Sequence, residues 1–103
     1  MARALGVGGV FFKARDPRAL ATWYGTHLGI DIEEGFSGAV FKADAVPPGG
    51  YTVWAPFDAD TTYFDPSRAP FMINLMVDDL DGALAQVAEG GATLAGTPEA
   101  SEF

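Results

Sequence analysis

Val7-Gly-Gly-Val-Phe-Phe-Lys-Ala-Arg-Asp-Pro17 and Phe71-Met-Ile-Asn-Leu-Met-Val-Asp-Asp-Leu80 are the two stretches whose comparison decides the reading of this chain. Each is rich in β-formers and runs into an aspartate at the position where a helix would be capped, Asp16 in the first and Asp79 in the second. Pro17, directly after Asp16, suits the first helical position, where its missing N–H is no loss. Leu20, Trp23, Tyr24 and Leu28 then fall on one helical face, with Gly29 as the stop. After Asp79, Leu80, Ala83, Leu84 and Val87 do the same and Gly90-Gly91 ends the run. The two caps lie 63 positions apart and the same order recurs around each, so the chain reads as a tandem repeat of strand, acidic cap and amphipathic helix.

Between the two copies, short β-rich stretches around 30–34, 38–43 and 51–55 are separated by Gly35, Gly38 and the turn Pro47-Pro48-Gly49-Gly50. Residues 58–70 hold Pro66 and Pro70 among aspartates and threonines and read as a linker, with aromatic packing expected from Phe57, Tyr63 and Phe64.

Composition narrows the function classes. The 103 residues are 49% hydrophobic and 19% charged, a soluble globular profile near the lower size limit for an adequate core. Fourteen acidic against six basic residues give a net charge of −8, which disfavours nucleic acid and anionic membrane surfaces as partners. The absence of cysteine excludes disulfides, thiolate metal sites and a cysteine nucleophile, and a cytoplasmic location is expected. The apolar run Ala4 to Phe12 is followed by Lys13, Arg15 and Asp16 where a signal peptide would need small residues at its cleavage site.

Several isolated signals carry little. His27, the single histidine, sits in the last turn of the first helix, where an imidazolium favours the helix dipole. Asp58-Ala-Asp60 opens like a calcium loop, but Tyr63 stands where glycine belongs and Ala69 where glutamate belongs. Gly6-Val-Gly-Gly9 precedes a strand instead of following one, against a dinucleotide site. Lys13 and Arg15 read as solvated strand-end charges, and Asp78, Asp79 and Asp81 as the start of a helix.

The stretch Gly9 to Pro17, with Ala21-Thr-Trp-Tyr24 and His27-Leu-Gly29, resembles the opening of the glyoxalase/bleomycin-resistance/dioxygenase (vicinal oxygen chelate) superfamily. Thr52-Val-Trp-Ala-Pro-Phe57, Asp60-Thr-Thr-Tyr-Phe64 and Met72 to Leu80 resemble its continuation. The resemblance implies an α+β fold: tandem βαβββ modules forming curved mixed sheets with helices on the outer face, enclosing one cavity. A single domain over 1–103 would comprise module one at about 7–57, the linker 58–70 and an incomplete module two at 71–103. Pro98-Glu-Ala-Ser-Glu-Phe103 is similar to the text before that family's closing hairpin, so the second module is expected either to be truncated or to continue in a longer protein.

Metal sites of that superfamily draw a His or Glu from each module's first strand and a Glu from each last strand. By the family's spacing to the acidic caps, the first-strand positions are Gly9 and Met72, and the last-strand position of module one is Thr52. Glycine offers no side chain and a thioether suits oxygen-seeking or borderline ions poorly, so no metal and no cofactor is expected. Residues sharing parity with those positions would face the cavity, which nominates Phe11, Thr52, Trp54, Met72, Asn74 and Met76 as ligand-binding residues. Apolar walls with one amide and one hydroxyl suit a small-molecule pocket; the same residues could fill an ordinary core. The opposite face, Val10, Phe12, Ile73, Leu75 and Val77, suits packing beneath the helices. The expected function is therefore metal-independent binding of a small organic ligand, of the sequestration or resistance type, by a homodimer. The alternative is a metal-dependent glyoxalase-like lyase or extradiol-type dioxygenase of the same superfamily. No residue is assigned a catalytic role.

Overall fold

Local hydrogen bonding explains the best-formed parts of the structure, a computed structural model that describes residues 1–94. The chain divides into two units, Met1–Phe57 and Asp58–Phe103.

In the first unit, helix α1 spans Pro17–Leu28. The Asp16 carboxylate accepts the Ala19 amide at 3.1 Å, satisfying one of the amides that a helix start leaves without a carbonyl. The Asp16 carbonyl accepts from Leu20 N at 3.1 Å to begin the ladder. Pro17 occupies the first turn, as its fixed φ allows. Gly29 ends α1 with φ 64 and ψ 22, its N–H directed to the Tyr24 carbonyl. That left-handed conformation costs an L-residue roughly 1–2 kcal/mol and costs glycine nothing.

The chain after α1 folds back along it. At Gly25 a β-carbon would stand 3.4 Å from both the Ile30 carbonyl oxygen and Ile32 Cγ1, so the returning chain lies in van der Waals contact with this turn of the helix. Glu33 N donates to the Gly38 carbonyl at 2.9 Å, closing a turn through Gly35, whose φ is 94. Ala21, on the helix side of this return, is buried; Leu20, Trp23, Tyr24 and Leu28 are half-buried. Further along, Ala43–Ala45 form one turn of 3₁₀ helix. Gly50 N then donates to the Pro47 carbonyl at 2.9 Å. Gly49, third in that turn, has φ 84, the sign a type II turn requires there.

The second unit opens with consecutive turns. Thr61 N donates to the Asp58 carbonyl at 3.1 Å, Asp65 N to Thr62 at 3.1 Å and Ser67 N to Phe64 at 2.9 Å. The Thr61 and Ser67 hydroxyls accept the amides two residues on, at 3.2 and 3.1 Å. Tyr63 and Phe64 meet edge to face with ring centroids 6.2 Å apart. Helix α2 spans Leu80–Glu89, and the Asp79 carboxylate accepts Gly82 N at 3.1 Å, the same cap as at Asp16. Its end is a Schellman motif: Gly91 N donates to the Ala88 carbonyl at 3.0 Å and Ala92 N to Val87 at 2.9 Å, with Gly91 at φ 91. Ala83, Leu84 and Val87 are half-buried and Leu80 is exposed.

The expected α+β fold of tandem βαβββ modules with curved mixed sheets is not what the structure contains. Among the described residues there are two α-helices, one 3₁₀ turn and no β-strand. Segments 7–14, 30–34, 38–43, 51–55 and 71–77, all expected as strands, are irregular apart from the turns described above. Val10, Phe12, Ile73, Leu75 and Val77, expected to pack beneath helices, are exposed. The physical reason is that alternation places side chains on a face but supplies no partner for the backbone. A strand is defined by N–H and C=O groups paired to a second strand distant in sequence. Gly8 and Gly9 within the first segment, and Pro56 at the end of the fourth, further weaken pairing. The closing stretch Pro98–Phe103, read as preceding a hairpin, lies outside the described residues. No helix among the described residues is long and apolar enough to cross a membrane.

Candidate functional site

The six candidate ligand-binding residues sit on the irregular segments, three in each unit. In the first unit, Phe11 precedes α1 and is 97% exposed, Trp54 follows the Pro47–Gly50 turn and is 79% exposed, and Thr52 is exposed beside it. Among the described residues, neither the Phe11 ring nor the Trp54 ring stacks on another aromatic. In the second unit, Met72, Asn74 and Met76 lie on the segment leading into the Asp79 cap, and all three are exposed. Such exposure separates these residues from Ala21, the one buried residue among the described residues. Burying a Phe or Trp side chain fully would remove on the order of 150–250 Å² from water, so these rings retain most of their capacity for contact with another molecule.

The donor positions inferred for a metal do not fit one. Gly9 has no side chain, and the Phe11 ring lies over it, with Cζ 3.4 Å from where a β-carbon would stand. Thr52 offers a neutral hydroxyl and Met72 a thioether, neither a strong partner for Ni, Zn, Fe or Mn. Among the described residues, no group of three or more His, Cys, Asp or Glu side chains is placed to hold a metal ion. His27 instead packs its ring beside Trp23, with centroids 5.0 Å apart and planes tilted by 48°, while Trp23 meets Tyr24 edge to face at 5.1 Å. The imidazole thus belongs to an aromatic row on α1 at the helix end where a cation is favoured.

A hollow is formed within the first unit, where the returning segment meets the amino-terminal half of α1. Its volume is about 320 Å³, and Arg18, Thr22, Glu33, Glu34, Phe36 and Ser37 are among its lining residues. None of the six sequence-nominated residues lines it. Strand parity could not have found it, because it depends on the local return through Gly29 and Gly35. The signal available in the sequence was the pair of glycines flanking Ile30–Glu34.

Comparison with known proteins bears on identity. No curated protein and no solved structure matches the chain. The model of the glyoxalase-like domain family matches residues 9–103, which takes in both helix caps, the apolar segment 71–77 and all six candidate residues. By that match the chain is a member of the glyoxalase-like domain family.

Proposed function

We propose that this glyoxalase-family chain binds a small, largely apolar organic ligand without a metal ion, in the manner of a sequestration or resistance protein. The observation that carries the proposal is the residue set at the inferred donor positions, Gly9, Thr52 and Met72, which leaves too few ligands for a catalytic metal. Taken unit by unit, the first offers the exposed Phe11 and Trp54 for apolar contact and the Thr52 hydroxyl for a hydrogen bond, and the second offers the exposed Met72 and Met76 and the Asn74 amide.

Magnitudes support a role for both kinds of contact. A ligand covering about 200 Å² of aromatic surface gains about 5 kcal/mol at about 25 cal/mol/Å². Association costs at least about 4 kcal/mol in lost translational and rotational freedom. Apolar contact alone therefore leaves weak binding, and well-placed hydrogen bonds of about 1 kcal/mol each raise affinity and select the ligand.

We further propose that the chain acts as a homodimer, a reading supported by the number of large apolar side chains it exposes, Val10, Phe41, Val53 and Met76 among them. Metal analysis of the purified protein tests the central reading. Substoichiometric Ni, Zn, Fe and Mn is expected; about one tightly bound equivalent of any of them would overturn it in favour of a metal-dependent lyase or dioxygenase.

A further inference from the structure

We draw no further inference here: the strongest candidate, the hollow between the amino-terminal half of α1 and the 33–38 turn of the first unit, is lined by the solvated charges of Arg18, Glu33 and Glu34 and holds no buried unpartnered polar atom that would let a ligand gain over water.

Discussion

Replacing Gly29 isolates what the end of α1 contributes, because the site offers conformation without contact. Gly29 has φ 64, and a β-carbon built there meets nothing within 4 Å. Gly29→Ala therefore introduces no clash, and its cost is that of holding an L-residue in the left-handed region, roughly 1–2 kcal/mol. Restricting the unfolded chain returns about 0.4–1 kcal/mol of this. The net expectation is a loss of about 1 kcal/mol, which in a domain of this size lowers Tm by about 4–8 °C. Gly29→Asn should lose less, since asparagine tolerates this conformation better than alanine. Gly8→Ala is the matched control: its β-carbon also meets nothing within 4 Å, and its φ lies outside the left-handed region. That variant should hold or gain stability by up to about 1 kcal/mol. Thermal and urea unfolding followed by far-ultraviolet circular dichroism would read all three. The reasoning fails if Gly29→Ala matches the parent protein, or if Asn at 29 is no better than Ala.

The two caps should behave alike: Asp16→Ala and Asp79→Ala each remove a carboxylate bonded at 3.1 Å to the third residue onward. Each should cost about 1 kcal/mol in urea unfolding, whereas Asp→Asn at either site should retain most of it. Phe11→Ala and Trp54→Ala should change stability by no more than about 0.5 kcal/mol, as expected of exposed side chains. A loss of about 3–5 kcal/mol in the same assay would place those rings in a core and remove them from the ligand site. Sedimentation should show a dimer that tightens as salt rises, because each copy carries a net charge of −8 and screening relieves the repulsion. A monomer at every salt concentration would refute the homodimer.

The helices were legible in the sequence because every determinant is local. Asp16 and Asp79 each bond an amide three residues away, Pro17 presets the first turn, and Gly29 and Gly91 take the left-handed conformation that ends a helix. The 63-residue spacing of the caps was legible for the same reason. The sheets expected from the sequence are not formed among the described residues, since the alternation in Gly9 to Lys13 and in Met72 to Met76 marks only which side chains share a face. Whether a backbone pairs depends on segments far along the chain, and loop closure opposes such contacts until they form. The candidate site inherits this limit. Residue chemistry at Gly9, Thr52 and Met72 could be read directly from the sequence. The grouping of Phe11, Thr52, Trp54, Met72, Asn74 and Met76 rested on sheet parity, which the structure does not supply. The hollow beside α1 was invisible to that pattern, because it arises from a local return of the chain through Gly29 and Gly35.

Ligand-dependent thermal stability of chelator-treated protein tests metal-independent binding most directly. Screened against small aromatic and heteroaromatic compounds, the metal-stripped chain should show a rise in Tm with at least one chemical class. A ligand at about 100 times its Kd would add about 2.7 kcal/mol. Trp54→Ala should abolish the shift while leaving the unliganded Tm within a few degrees of the parent. Contradiction would be a stripped protein that responds to no compound and regains a ligand-dependent shift only when Ni, Zn, Fe or Mn is restored.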